Sequence, residues 1–239
     1  MKRVAVVLAG GTGQRLGLVA PKQLAMVGGR PILARAIEAF DAAPQIEEIL
    51  VVMAPGHLTE AELIAKPYAK VSGVIEGGAN RTESTLRALA ALEPLPGDCR
   101  VLFHDAARPF VDGRIIAECV AALDDAEAVA VAVPSSDTVV VVEAGRVVEM
   151  PRRDRLRRFQ TPQGFRLATI RAAYELALAD PGFAESTPTD DCGVVHRYLP
   201  GVPIMVVPGS EQNIKITHPV DLLIAEQITS RENDPGSAG

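Results

Sequence analysis

The chain has 239 residues, with 24 Lys and Arg against 30 Asp and Glu and a net charge of −6. That length suits one large α/β domain with a full core. The acidic balance argues against a general nucleic-acid binder, and no apolar run approaches the roughly 20 residues that a bilayer span needs. The cysteines, Cys99, Cys119 and Cys192, are odd in number and widely spaced, which offers neither a disulfide framework nor a zinc site. The apolar run after Met1-Lys2-Arg3 is too short for a secretory signal, so a cytoplasmic location is expected.

Residues 4–8, Val4-Ala5-Val6-Val7-Leu8, are β-branched and apolar and predict a buried strand. The strand runs into Ala9-Gly10-Gly11-Thr12-Gly13, with Arg15 and then Pro21-Lys22-Gln23 behind it. Glycines let a backbone approach a bound group and point N–H donors at it, while Arg15 and Lys22 supply charge for phosphate oxygens. A dinucleotide fingerprint started at Gly11 would need glycine where Leu16 stands, and the G-K-[ST] of a Walker loop is absent. What remains predicts a loop for the phosphates of a nucleotide.

A helix is predicted over 32–40, with Pro31 suited to its first turn. A strand follows over 48–53, then a helix over 59–65 with Thr59 as candidate N-cap. A third strand covers 71–75 and leads through Gly77-Gly78-Ala79-Asn80 into a helix over 81–92. A strand over 100–104 ends in His104-Asp105-Ala106-Ala107-Arg108-Pro109, followed by a helix over 112–123 and an apolar strand over 128–134. This alternation implies a mostly parallel sheet with helices on both faces. Ligands of such sheets sit at the carboxyl ends of strands, so the loops 9–22, 77–84, 104–109 and 134–138 are expected to converge on one crevice. Residues 138–160 break the alternation. Their valine-rich halves flank Ala144-Gly145 and read as a β-hairpin arm, too apolar to stand alone and expected to pack outside the main sheet. One domain over 1–231 is expected, with a disordered tail over 232–239.

The start of the helix at 81 offers free N–H groups and a positive dipole end, and Ser84 adds a hydroxyl. Asp105, at a strand end beside the phosphate loop, is placed to hold Mg²⁺, which would neutralise triphosphate charge. Lys215 lies between Ile214 and Ile216 on an otherwise apolar strand near the same loops, a position that suggests a function. Arg152-Arg153-Asp154-Arg155-Leu156-Arg157-Arg158 holds five arginines in seven residues. Without interleaved aromatics, most of these read as surface charge.

These motifs resemble the signature of nucleotidyltransferases that activate sugar or polyol phosphates. Within that group the chain is similar to the cytidylyltransferases acting on 2-C-methyl-D-erythritol 4-phosphate and on ribitol 5-phosphate. The likeness runs from about residue 4 to 228. It rests on the first loop, the segments 77–84 and 104–109, Pro134-Ser135-Ser136-Asp137-Thr138, Gln160-Thr161-Pro162-Gln163, Thr189-Asp190-Asp191-Cys192 and Asn213-Ile214-Lys215-Ile216-Thr217. It implies a single Rossmann-like nucleotidyltransferase domain, mostly parallel, with a protruding β-hairpin arm that reaches across a homodimer.

The implied reaction joins CTP to a polyol phosphate and releases pyrophosphate, with Mg²⁺ as cofactor and neither nucleic acid nor membrane as partner. The resemblance gives Arg15, Lys22 and Lys215 to catalysis. It gives Ala9, Gly10, Gly11, Thr12, Gly13, Gly78, Ala79, Arg81, Ser84, Asp105 and Ala106 to CTP, with Asp105 also on the metal. It gives Arg108, Thr138, Arg153, Thr161 and Thr189 to the acceptor. Ala79 stands where many members have Asp, so backbone groups are expected to read the base there. His104-Asp105-Ala106-Ala107-Arg108 favours methylerythritol phosphate as acceptor. Gly10, Cys192 and the segments 209–213 and 218–221 lean towards ribitol 5-phosphate, which is the alternative. A sugar-1-phosphate nucleotidyltransferase using UTP or dTTP is a more distant one.

Overall fold

A computed structural model describes residues 1–11 and 21–232. Along the chain come β1 (Arg3–Ala9), a small hairpin of β2 (Met26–Val27) and β3 (Arg30–Pro31), α1 (Ile32–Ala42), β4 (Glu48–Met53), α2 (Leu58–Ala65), β5 (Val71–Glu76), α3 (Arg81–Ala91), β6 (Arg100–Asp105), α4 (Gly113–Ala122) and β7 (Ala128–Pro134). A second hairpin, β8 (Val141–Glu143) and β9 (Arg146–Glu149), precedes β10 (Arg157–Arg166), α5 (Leu167–Ala179), α6 (Asp191–Tyr198), β11 (Ile204–Pro208) and α7 (Pro219–Glu232). The expected tail lies, from residue 233 on, outside the described residues.

The main sheet has seven strands in the order β11-β7-β10-β6-β1-β4-β5. Its pairs are parallel except at β10, which runs antiparallel to both β6 and β7. The mostly parallel sheet expected from the alternation is therefore present. Strand β1 shows why its sequence is apolar throughout. Ala5, Val7 and Ala9 pack with α1, α2 and α4 on one face, while Val4, Val6 and Leu8 pack with α3, α5 and α6 on the other. Side chains alternate across a strand, so a strand covered on both faces shows no polar alternation.

Caps set several helix starts. Asn80 Oδ1 accepts from Glu83 N at 2.9 Å, and Asp112 Oδ1 accepts from Ile115 N at 2.7 Å. Thr59 does not cap α2. That helix opens at Leu58 after His57, which makes no capping bond. The arm is shorter than its sequence suggested. Only 141–143 and 146–149 pair, around Ala144 and Gly145 at φ +47° and +76°, a two-residue turn of the kind hairpin twist favours. By Arg157 the chain is already back in the sheet as β10. The arm's Val139, Val140, Val141, Val142, Val147, Val148 and Met150 are all exposed.

From β1 the chain builds outward through β4 to β5, then returns to lay β6 on the other side of β1. The carboxyl ends of β1 and β6, where Leu8 pairs with Asp105, are thus a switch point, where open α/β sheets form their binding crevice.

Candidate active site

A crevice of about 370 Å³ opens there, lined by the ends of β1 and β6, the start of α3 and two loop segments carrying Lys22 and Lys215. The expected convergence therefore holds for Gly10, Gly11 and Lys22 of 9–22, for Ala79, Arg81 and Ser84 of 77–84 and for Asp105 of 104–109, whereas no residue of 134–138 lines the crevice; Lys215 joins them from the loop between β11 and α7 and not from the strand expected for it. Among the described residues its charged lining is Lys22, Arg81 and Lys215 against Asp105 alone, a local positive excess in a chain of net charge −6. Thr12, Gly13 and Arg15 lie outside the described residues.

Lys22 is buried on a short 3-10 turn and donates from Nζ to the Ile216 carbonyl at 2.7 Å. That bond ties the first loop to the segment carrying Lys215. Lys215 Nζ donates to Asp105 Oδ2 at 2.6 Å, and the other Asp105 oxygen accepts from Arg81 Nε at 3.3 Å. Burial alone opposes the charge of Asp105, yet Arg81 and then Lys215 hold its carboxyl well below the usual carboxylate range. Burial likewise opposes the Arg81 charge, and Asp191 with Asp105 overrides it, keeping the guanidinium protonated. Two polar atoms of this wall, Arg81 Nη2 and Gln23 Oε1, are buried with no hydrogen-bond partner among the described residues.

At the start of α3 the backbone is spoken for. Gly78 N donates to Ser84 Oγ at 3.1 Å, Ala79 N donates to Glu83 Oε2 at 2.8 Å, and Ser84 Oγ donates to the Asn80 carbonyl. Glycine is required at 78 because a Cβ there would fall 2.1 Å from Glu83 Cβ.

Several expected ligand residues have other surroundings. Ala9 and Ala106 are fully buried among the apolar side chains of one core face. Thr161 is buried, and its hydroxyl accepts from Asp105 N and bonds His104 Nδ1, each at 3.0 Å. With both partners internal, it braces β6 from β10. Arg108 gives Nη1 to the Asn213 carbonyl at 2.7 Å and Nη2 to the Phe159 carbonyl at 3.3 Å, so it clamps loops together. Thr138, Arg153 and Thr189 are exposed and outside the crevice; Arg153 meets the Ser136 carbonyl at 3.4 Å.

His104 is fully buried behind Asp105, and desolvation pushes its pKa down to about 4. A neutral ring fits both bonds: Thr161 Oγ1–H to Nδ1 and Nε2–H to the Arg108 carbonyl. Sequence reasoning missed Gln23, Asn80, Ala107 and Thr217 in the lining. Gln23 and Thr217 adjoin the loop and lysine motifs, and that adjacency was the available signal.

Among the described residues no group of three or more His, Cys, Asp or Glu side chains could hold a metal. Asp105 can serve as the single protein carboxylate that Mg²⁺ often takes beside substrate phosphate oxygens. Arg81 and Lys215 favour its charged form, it sits at the crevice, and among the described residues no other acid lines it.

The model of the IspD family, 2-C-methyl-D-erythritol 4-phosphate cytidylyltransferase, matches residues 3–231. A 2-C-methyl-D-erythritol 4-phosphate cytidylyltransferase of Thermobifida fusca is 53% identical over 231 residues, covering 94% of this chain and 92% of that protein. A bifunctional ribulose 5-phosphate reductase/CDP-ribitol pyrophosphorylase of Haemophilus influenzae is 38% identical, and the match covers 95% of this chain but 48% of that longer protein. Among solved structures, the 4-diphosphocytidyl-2C-methyl-D-erythritol synthase of Anaerococcus prevotii superposes with a TM-score of 0.84 at 30% identity, covering 96% of each chain. The chain belongs to the 2-C-methyl-D-erythritol 4-phosphate cytidylyltransferase family, and it is a nucleotidyltransferase.

Proposed function

We propose that the crevice at the ends of β1 and β6 binds CTP and transfers its cytidylyl group to 2-C-methyl-D-erythritol 4-phosphate. The observation that carries this reading is the convergence of Lys22, Arg81 and Lys215 on one crevice whose lining, among the described residues, holds a single carboxylate. An acceptor phosphate oxygen attacks the α-phosphorus in line, the new O–P bond forms, and the bond to the β-phosphate bridging oxygen breaks to release pyrophosphate. A phosphate monoester is anionic near neutral pH, so no protein base is needed. The buried, neutral His104 fits that requirement. Catalysis then rests on positioning and charge. Lys22 and Lys215 meet the phosphates, with Arg15 of the same loop assigned beside them by resemblance. Arg81, on the crevice wall, adds a further positive charge. Asp105 would hold Mg²⁺, which when bound neutralises triphosphate charge.

The acceptor side is proposed to come from a second copy of the chain. Thr138 and Arg153 flank the exposed, valine-rich arm, which has the composition of an interface. A homodimer joined through the arm would carry these residues to the neighbouring crevice. A cytoplasmic location accords with three buried, unpaired cysteines, and among the described residues no helix is long and apolar enough to cross a membrane.

The test is pyrophosphate release from CTP with each acceptor side by side. Methylerythritol phosphate should be preferred at least about tenfold, and Lys22→Ala should lower turnover on the order of a hundredfold. A preference for ribitol 5-phosphate would overturn the acceptor assignment, and near-normal turnover by Lys22→Ala would overturn the role of the loop.

A further inference from the structure

Behind the crevice lies a buried carboxylate that the transfer chemistry does not use. Asp191, first residue of α6, has a side chain with no solvent exposure. Its Oδ1 accepts from Tyr174 OH at 2.7 Å and from Thr85 Oγ1 at 3.0 Å. Its Oδ2 pairs with Arg81 Nη1 at 2.7 Å. Tyr174 comes from α5, and Thr85 and Arg81 come from α3, so three helices meet at one carboxylate. Gln163 of β10 fixes the start of α6 from a fourth direction, accepting from Cys192 N at 3.1 Å and donating to Asp190 Oδ2 at 2.9 Å.

We infer that Asp191 is a positioning residue for the nucleotide site, holding the Arg81 guanidinium so that its Nε meets Asp105 at the crevice wall. A long, flexible arginine at a helix start has many rotamers, and fixing one is an entropic cost that a ligand would otherwise bear. Two hydrogen bonds on Oδ1 fix the Asp191 carboxyl plane, and its second oxygen then sets the guanidinium. From Arg81 the constraint passes to Asp105 and from Asp105 to Lys215. Asp191 itself touches no substrate. The alternative role is purely structural, joining α3, α5 and α6 with no bearing on the site.

The two roles separate in a double-mutant cycle read as kcat/KM for CTP, with folding followed by circular dichroism. The inference rests on the placement of Arg81 in the CTP site, so Arg81→Gln is measured first. It should lower kcat/KM, and an unchanged value would overturn that placement and the inference with it. Asp191→Asn keeps the shape and removes the charge, and should lower kcat/KM about tenfold to a hundredfold, the scale of a misplaced binding group. In the Arg81→Gln background the same change should cost less than about twofold, because the group it positions is already gone. An equal loss in both backgrounds, or no loss in either, overturns the inference while leaving the reading of the CTP site intact. Should Asp191→Asn fail to fold, Tyr174→Phe removes one bond to Asp191 at constant ring volume. It should lower kcat/KM about threefold in the native background only, and an equal effect in both backgrounds or none in either is again the overturning result.

Discussion

Replacing His104 by asparagine should flatten the acid limb of the stability curve. The ring is fully buried and linked in series: Asp105 N donates to Thr161 Oγ1, the hydroxyl bonds Nδ1, and Nε2 bonds the Arg108 carbonyl. Desolvation pushes the folded pKa from 6.5 to about 4. Between those values the unfolded chain takes up a proton that the folded chain refuses, so stability is present above pH 6.5 and is lost as pH falls towards 4. A shift of ~2.5 units corresponds to about 3 kcal/mol in all, of which roughly 2 kcal/mol falls between pH 7 and pH 4.5. Asp105 adds little in that window, because its own carboxyl is held below the usual range and its contribution is lost only at lower pH. Urea unfolding at pH 7 and pH 4.5 measures the difference. The native chain should lose about 2 kcal/mol more than His104→Asn across that interval, although the variant starts less stable at pH 7 through its lost bond to Arg108. Equal losses would mean that His104 is not buried neutral, and the bracing of Asp105 from β10 would have to be rejected.

Two further outcomes follow from packing. A methyl group at Gly78 would overlap the Glu83 side chain and come within 3.0 Å of its carbonyl carbon, whereas one at Gly10 meets only the Ser84 hydroxyl at 2.8 Å. Gly78→Ala should therefore raise the KM for CTP about tenfold or more, while Gly10→Ala, which strains a single hydroxyl and its two hydrogen bonds but no backbone atom among the described residues, should stay within about threefold, on the scale of one misplaced contact; steady-state kinetics on both variants checks the order, and its reversal would refute the argument. In the arm, Val142 and Val147 are more than half exposed, so Val142→Asp with Val147→Asp should leave the fold intact by circular dichroism and convert the proposed dimer to monomers in sedimentation equilibrium. A dimer unchanged by two new charges would remove the arm from the interface.

The parts of this fold that were legible in the sequence are those where local pattern and tertiary setting agree. Strands β4 and β7 begin and end where their apolar runs do, and Asn80 and Asp112 cap helices by short-range bonds. The start of strand β10 was hidden in the end of the expected arm. Its Arg157 to Gln160 half pairs with β7 and carries exposed arginines, and a register shift between Gln160 and Gln163 breaks any alternation. The site followed the same division. Lys22, Arg81, Asp105 and Lys215 belong to motifs whose residue types already suggest phosphate chemistry, and they do meet. Thr161 sits in an equally recognisable motif, yet its hydroxyl points inward to His104, a direction that only the pairing of β10 with β6 determines. Asp191 could pass for a first-turn acid favoured by the helix dipole, because its partners Thr85 and Tyr174 are 106 and 17 residues away.

The charges of the site form one line of alternating sign: Lys215, Asp105, Arg81, Asp191. A buried charge left alone would be costly, whereas each inner member here has an opposite neighbour. The line runs from a carboxylate with no exposure to a lysine whose side chain is 42% exposed. Arg81 and Asp105, which lie between, are 24% and 12% exposed, so Lys215 is the most open member, and in the proposed function it is the cation that an arriving phosphate would reach first. The phosphate need only compete with Asp105 for that ammonium, and the guanidinium behind is already held between two carboxylates. Preorganised charge of this kind spares the reaction the cost of arranging its dipoles as the transition state forms. On that account the useful property of the crevice is less its count of cations than the fixed order in which they are paired.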